Sequence, residues 1–220
     1  MKTRTASFLL FLVLSLVLIL VPASAQVLYD NGPVNGNVDA WTISSGYVVS
    51  DTIVCCKVDS PATDVMTGFD FWVWEYPGDT ALTVDWSLTS AENGGTVFGS
   101  GTANLTDTFI STNEFGFNID KLTASGLNVA LSPGTYWLNL QNGSTAEGNP
   151  LFWDENSGVG CSSPGCPSSA SENTLGSIPS EAFDITGSGS GTGTTPEPSS
   201  IMLFGSGVLA VLGALRRKLF

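Results

Sequence analysis

Between two apolar ends, hydrophobic and polar residues alternate along the chain with a period of two. This period is typical of β-strands that bury one face. The clearest strand, over residues 82–89, is predicted to bury Leu82, Val84, Trp86 and Leu88. Four further inward-facing sets are predicted: Val65, Thr67, Phe69, Phe71 and Val73; Phe115, Phe117 and Ile119; Leu127, Val129 and Leu131; and Tyr136, Leu138 and Leu140. Residues 47–54 and 182–185 are weaker strand candidates, and no helical period longer than about two turns occurs between the ends.

Turn sequences separate the predicted strands. Asn93-Gly94 follows an alternating segment and is typical of a tight hairpin. Pro77-Gly78 and Pro133-Gly134 mark further turns. Many short strands at regular spacing predict an all-β fold, which we interpret as a single jelly-roll-like β-sandwich domain over residues 26–187.

The N-terminal apolar segment has the features of a signal peptide. Lys2 and Arg4 precede the apolar residues 8–21, and Ala23-Ser24-Ala25 forms a small-x-small cleavage site. We therefore predict a signal peptide over residues 1–25 and a mature chain that begins at Gln26. An uncleaved N-terminal anchor is the alternative.

The other end of the chain has three parts in a fixed order. Residues 188–195 are rich in glycine, serine and threonine and predict a flexible linker. Pro196-Glu197-Pro198 follows, and then an apolar segment that ends at Arg216, Arg217 and Lys218. We predict a transmembrane helix over residues 200–215, somewhat shorter than the ~20 residues that usually cross a bilayer. The basic residues would stay in the cytoplasm and place the domain outside.

This order of a Pro-Glu-Pro motif, an apolar helix and a basic end over residues 196–220 resembles the PEP-CTERM sorting signal of bacterial envelope proteins. The resemblance implies recognition by an exosortase-type sorting protease, at least transient anchoring in the membrane, and delivery to the cell surface or extracellular matrix. It implies that the sorting motif comprises Pro196, Glu197, Pro198, Arg216 and Arg217. The signal is also called an ice-binding protein C-terminal domain, a name that implies no ice binding. An ordinary C-terminal anchor is the alternative and has the same topology.

Three short sequences in the domain also resemble the bodies of other PEP-CTERM surface proteins. They are Asn31-Gly32-Pro33, residues 39–43 and residues 153–158. This resemblance implies no particular activity.

Composition narrows the possible chemistry. The chain contains no histidine, which excludes Ser-His-Asp and Cys-His nucleophile sites and removes the most common zinc ligand. All 20 acidic residues lie between Asp30 and Glu197, where only Lys57 and Lys121 oppose them, so this part carries a formal charge of −18. Such a charge repels nucleic-acid phosphates, and we expect no nucleic-acid partner. It is compatible with cation binding and also with simple solubility in an external medium.

Four cysteines occur in a chain that is predicted to be exported, and disulfides persist outside the cytoplasm. Cys161 and Cys166 flank a Pro-Gly turn that can bring their Cα atoms within bonding distance, so we predict a disulfide between them. Cys55 and Cys56 are adjacent and would point to opposite faces of a strand. Their pairing stays open, because four cysteines allow three pairings.

Three tryptophans are candidates for ligand binding. The alternation that turns their neighbours towards the core turns Trp72, Trp74 and Trp137 outward, beside amide and carboxylate side chains. Flat rings with such neighbours resemble a sugar-binding platform, which makes polysaccharide a candidate partner. The alternative is that a further strand or loop covers the rings and makes them part of a second packed face.

An oxygen-rich loop is a candidate Ca²⁺ site. Asn149, Asp154, Glu155 and Asn156 surround Phe152-Trp153, and oxygen ligands of this kind suit Ca²⁺. The loop lacks the ligand spacing of an EF-hand, so a solvated loop that caps the sandwich is the alternative. We expect no other cofactor.

Carboxylates near aromatic residues raise the separate possibility of glycoside hydrolysis, which needs two facing carboxylates. Such carboxylates are Glu75, Glu92, Asp154 and Glu155. Their spacing along the chain singles out no pair, so we interpret them as part of an acidic loop surface.

Taken with the resemblance, these patterns predict an exported cell-surface or extracellular-matrix protein with a structural or adhesive role and no catalytic activity. The alternative is a carbohydrate-binding module for matrix polysaccharide. A third hypothesis is a glycosidase. Exposed, coplanar tryptophans would favour the module, and a cleft with two facing carboxylates would favour the glycosidase.

Overall fold

A computed structural model describes residues 26–55, 64–158 and 163–188. These residues form twelve strands and no helix, so none of them forms a helix that could cross a membrane. The predicted signal peptide and sorting signal, and the predicted linker apart from Ser188, lie outside the described residues. The strands are β1 (Gln26–Asp30), β2 (Ala40–Thr42), β3 (Val48–Cys55), β4 (Asp64–Glu75), β5 (Ala81–Ala91), β6 (Gly94–Thr112), β7 (Asn118–Leu131), β8 (Gly134–Thr145), β9 (Phe152–Asp154), β10 (Ala170–Glu172), β11 (Gly176–Ile178) and β12 (Phe183–Ser188).

The prediction of an all-β fold is confirmed, and the strands form one curled antiparallel sheet. Its order is β1-β12-β4-β7-β6-β5-β8-β3-β10-β11, and β9 joins β2 to β4. The long strand β6 connects the two halves, because residues 94–104 pair with β5 and residues 105–112 pair with β7. The predicted sandwich is therefore a single continuous sheet and not two separately hydrogen-bonded sheets.

The concave side of this sheet holds one hydrophobic core to which both halves contribute. Phe69 on β4 and Trp86 on β5 lie on different halves, and their ring centroids are 6.2 Å apart. The predicted inward sets are confirmed where the alternation is regular. Their fully or nearly fully buried members are Phe69, Phe71, Val73, Val84, Trp86, Leu88, Val129, Leu131, Tyr136, Leu138 and Leu140.

Shifts of the pairing register make the predicted inward faces wrong at the N-terminal ends of β4 and β5. On β4, Met66 is fully buried in place of Val65 and Thr67, because the pairing with β7 shifts between Met66 and Gly68. On β5, Leu82 is 47% exposed and Ala81 only 2%, because the pairing with β8 shifts on either side of Thr83. An extra residue in a strand reverses which side chains face the core.

The predicted strand at residues 115–119 begins later than expected. Phe115 is 58% exposed and lies in the loop between β6 and β7, and of the predicted set only Ile119 belongs to a strand. Asn113 holds this loop, since its Oδ1 accepts hydrogen bonds from the backbone N–H groups of Phe115 and Phe117. The Asn113 side chain thus accepts hydrogen bonds from backbone N–H groups of the loop, and residues 115–117 form a turn where the sequence predicted a strand.

Candidate functional site

The three tryptophans singled out for sugar binding occupy different environments. Trp74 is only 9% exposed and is covered by the rings of Phe115 and Phe117, at centroid distances of 5.6 and 5.7 Å. Trp137 lies on β8, in the other half of the sheet, between Thr52 and Thr89 on the neighbouring strands. The predicted outward exposure is therefore wrong for Trp74, and the three rings form no common platform.

Trp72 is half-buried and lies beside the ion pair of Lys121 and Asp70. The Lys121 Nζ lies 2.8 Å from an oxygen of Asp70 and 5.4 Å from the centre of the Trp72 ring. A cation over an indole face is attracted by the negative face of the ring. Lys121 thus covers one face of the Trp72 ring and helps to fix the orientation of the ring.

Trp72 also lines a pocket of about 500 Å³ at the β1–β12 edge of the sheet. Asp30, Ser163 and Asp184 contribute polar groups to it. Ser163 is anchored there, because its Oγ accepts a hydrogen bond of 2.8 Å from the backbone N–H of Asp30. Burial, reinforced by the charges of Asp30 and Asp70, raises the pKa of Asp184 to about 6. An aromatic face beside two carboxylates is an arrangement that can accept sugar hydroxyls.

The residues predicted as a Ca²⁺ loop take part in separate hydrogen bonds, through the side chains of Asn149, Asp154 and Asn156 and through the backbone of Glu155. Asn149 donates from Nδ2 to Asp79, at 2.9 Å. Asn156 donates from Nδ2 to the carbonyl of Asn31, at 2.8 Å. Asp154 and Glu155 are buried, and the Oδ1 of Asp154 accepts a hydrogen bond from the backbone N–H of Gly36. A Ca²⁺ site made of all four residues stays a prediction.

The three sequences of the domain that resemble other surface proteins meet in space. Residues 40–42 form β2 and pair with β9, which carries Trp153 and Asp154. Asn156 hydrogen bonds to Asn31, and the backbone N–H of Ser157 donates to the carbonyl of Pro33 at 2.8 Å. We name this meeting point of residues 31–33, 39–43 and 153–158 the motif junction.

A buried carboxylate, Asp51, links β3 to the motif junction. It accepts hydrogen bonds from the backbone N–H groups of Thr52 and Glu181, from the Nδ2 of Asn31, and from the hydroxyls of Ser168 and Ser180. Burial raises its pKa to about 7. This network is internally satisfied, and its role is to hold the chain segments around the junction together.

A second group of carboxylates lies on three adjacent strands of the other part of the sheet. Glu75 ends β4, Asp107 lies on β6 and Asp120 lies on β7 between them. Each offers one carboxylate oxygen, and these three oxygens lie within 4.8 Å of one another. Glu75 is 1% exposed and Asp120 2% exposed, and the half-buried Asp107 accepts a 2.9 Å hydrogen bond from the backbone N–H of Ala81. We name these three residues the carboxylate triad.

The triad has strongly perturbed electrostatics. Burial, with further contributions from Asp120 and Asp107, raises the pKa of Glu75 to about 9, and burial also raises the pKa of Asp120. Among the described residues, no N–H group and no hydroxyl donates a hydrogen bond to either carboxylate oxygen of Glu75 or to the Oδ1 of Asp120. Three converging carboxylates form a set of ligands suited to a hard divalent cation.

Sequence reasoning identified Glu75 only as a carboxylate near aromatic residues and did not identify the triad. One signal was available, because Glu75 continues the inward alternation of Phe71 and Val73, where a further apolar residue is expected. The partners could not be found this way, since Asp107 and Asp120 are brought next to Glu75 only by the pairing of β4, β7 and β6.

The predicted Cys161–Cys166 disulfide is not tested by the described residues. Cys56 and Cys161 lie outside them, and neither Cys55 nor Cys166 is a free thiol. The Cys161–Cys166 disulfide therefore stays a prediction, and the pairing of Cys55 and Cys56 stays open.

Comparison with known proteins identifies the tail of the chain. The family model of the PEP-CTERM protein-sorting motif matches residues 194–218, which include Pro196, Glu197, Pro198, Arg216 and Arg217. No curated protein matches the chain. The matched residues confirm the resemblance that the sequence suggested. The chain therefore carries a PEP-CTERM protein-sorting motif, which identifies it as an exported, transiently membrane-anchored protein that is sorted by an exosortase-type system.

Proposed function

We propose that the protein acts at the cell surface or in the extracellular matrix as a structural or adhesive component, without catalysis. The observation that carries this proposal is the PEP-CTERM protein-sorting motif at residues 194–218. The motif delivers the β-sheet domain to the outside of the cell, and the dense internal hydrogen bonding of Asp51 and Asn156 suits a domain that must persist there.

Sorting is tested by the double variant Pro196→Ala/Pro198→Ala. Both prolines belong to the matched motif, so we expect the variant to remain at full length in the membrane fraction, while the wild-type chain is shortened and reaches the surface or matrix. Mass spectrometry and cell fractionation measure both effects. The control is Thr192→Ala, which lies before the matched residues. An unchanged mass and release in the double variant would contradict the proposed processing.

The structural or adhesive role is tested in cells that lack the protein. Returning the wild-type chain should restore matrix cohesion and attachment to a surface, whereas returning the Pro196→Ala/Pro198→Ala variant should not. Equal cohesion and attachment in cells with and without the wild-type chain would rule out this role, even if sorting occurs as proposed.

Carbohydrate binding is the alternative function, and the pocket beside Trp72 favours it. Asp30 and Asp184 lie with Trp72 in this pocket, whereas Trp74 is covered and Trp137 lies on another part of the sheet. Polysaccharide stacked on Trp72 would exchange hydrogen bonds with the two carboxylates. In this alternative the protein is exported and sorted in the same way, and only the activity of the domain outside the cell differs.

A polysaccharide array probed with the purified full chain tests this alternative. Trp72→Ala should weaken binding roughly tenfold, because the stacking face is lost. Trp137→Ala is the matched control and should bind like the wild-type chain. Loss of binding in Trp137→Ala alone would show that the ligand binds on the other half of the sheet. If the wild-type chain binds no polysaccharide, carbohydrate binding is ruled out.

A further inference from the structure

The carboxylate triad is fixed in place by three neighbouring strands. Asp120 pairs in register with Val73 on β4 and with Phe109 on β6, so its strand is hydrogen bonded on both sides. Asp107 is held on the far side by the backbone N–H of Ala81. The three carboxylates are therefore positioned by the backbone of the sheet and not by a flexible loop.

The size of the triad matches the coordination sphere of one large cation. Its three oxygens lie within 4.8 Å of one another. Ca²⁺ binds oxygens at roughly 2.3–2.6 Å, so two of its ligands can be up to about 5 Å apart. The three carboxylates can thus reach a single Ca²⁺ without any movement of the strands.

No positive group of the described chain offsets the charge of the triad. Lys121 is the one lysine or arginine among the residues in the structure, and it forms its ion pair with Asp70. Lys121 follows Asp120 along β7, and successive side chains of a strand point to opposite faces. Three carboxylates without a compensating cation are costly in a buried position.

Glu75 and Asp120 differ from Asp51 in the hydrogen bonds that their oxygens accept, although all three side chains are buried to a similar extent. Asp51 is satisfied by two backbone N–H groups, two hydroxyls and an amide. In the part of the chain that the structure describes, neither oxygen of Glu75 nor the Oδ1 of Asp120 receives a hydrogen bond from an N–H group or a hydroxyl. Buried polar atoms in folded proteins are almost always partnered, so oxygens that converge without donors indicate a bound ion.

We propose that Glu75, Asp107 and Asp120 bind one hard divalent cation, Ca²⁺, between strands β4, β7 and β6. The ion joins the middle of the sheet across three strands and neutralises the charge concentrated there. The site is separate from the sorting motif and from the pocket beside Trp72.

Titration of the purified full chain with CaCl₂ after treatment with a chelator tests the proposal. Calorimetry should give one saturable site per chain, and thermal unfolding should shift upward by roughly 5–10 °C at a Ca²⁺ concentration about 100-fold above the Kd. Mg²⁺ at the same concentration should give a smaller shift, because it requires a smaller and more regular coordination sphere.

The decisive variant is Glu75→Gln/Asp120→Asn, which keeps the shape of both side chains. It removes two like charges, so it should fold at least as well as the chelator-treated wild-type chain and lose the Ca²⁺ response. The control Glu92→Gln/Glu114→Gln removes the same charge from exposed positions and should keep the response. Ca²⁺ binding that survives in the first variant, or no binding by the wild-type chain, would overturn the proposal. An equal response to Mg²⁺ would overturn the choice of Ca²⁺.

Discussion

Asp51 illustrates how one buried side chain can make the stability of the whole protein depend on pH. Burial raises its pKa from 3.8 to about 7, and its charge in turn helps to raise the pKa values of Tyr29 and Glu181. An acid whose pKa is raised on folding favours the folded state below its unfolded pKa. That contribution is lost as the pH rises through about 7, by up to about 4 kcal/mol for a shift of this size.

The variant Asp51→Asn should reverse its effect on stability between acidic and alkaline pH. Thr52 and Glu181 donate backbone N–H groups to different oxygens of Asp51, so one of them must face the new amide group. We expect the variant to be less stable than the wild-type chain by about 1 kcal/mol at pH 4.5. At pH 8, where Asp51 is charged, we expect it to be more stable by about 2 kcal/mol.

Urea unfolding at both pH values measures this reversal. Glu92→Gln, on the exposed β5–β6 hairpin, should leave the free energy of unfolding within about 0.5 kcal/mol of the wild-type value at either pH. A variant of Asp51 that is destabilised equally at pH 4.5 and pH 8 would show that Asp51 is not the pH-sensitive group.

At the scale of the strands, two glycines allow the bulges of β4 and β12 to pack. A Cβ at Gly68 would lie 2.3 Å from the carbonyl oxygen of Ala124, and one at Gly187 would lie 2.1 Å from the carbonyl oxygen of Val65. Both neighbours are backbone atoms within the sheet and have no room to move. These glycines are required by close approach of the strands and not by an unusual backbone angle.

Gly68→Ala should therefore destabilise the domain by roughly 1–3 kcal/mol, the usual cost of overpacking. Gly101→Ala on β6 is the matched control, because the nearest atom to its Cβ would be the Trp86 Nε1 at 3.7 Å, an ordinary contact. Urea unfolding of the two variants gives the comparison. Equal stabilities of Gly68→Ala and Gly101→Ala would mean that the sheet adjusts at the bulge.

The strands also show how much of the buried face can be predicted from the alternation of hydrophobic and polar residues. Regular alternation predicted the buried faces of β8 and of the central part of β4, because side chains of a strand point alternately to its two sides. It failed at Val65 and Leu82, where bulges shift the register without a local signal. It also could not reveal the carboxylate triad, because only strand pairing brings Asp107 and Asp120 to Glu75.

At the scale of the whole molecule, the export and sorting of the protein could be predicted from the sequence, whereas the shape of the sheet could not. The sorting motif is a local sequence, so residues 196–198 and the basic end were sufficient to identify it. The curl of the sheet depends on β6, which changes partners from β5 to β7 along its length. No local pattern in β6 marks that change, because it depends on which strands lie on either side.

The place of β12 in the sheet has a consequence for the order of events during secretion. It is the last strand of the described chain, yet it lies between β1 and β4 and is hydrogen bonded to both. Until β12 has emerged, β1 lacks the only strand with which it pairs among the described residues. Closure of the domain is thus delayed until the sorting motif, which begins at residue 194, arrives at the translocation channel. We expect a chain truncated before β12 to present open strand edges to proteases outside the cytoplasm, so that only chains containing β12 are both folded and ready for sorting.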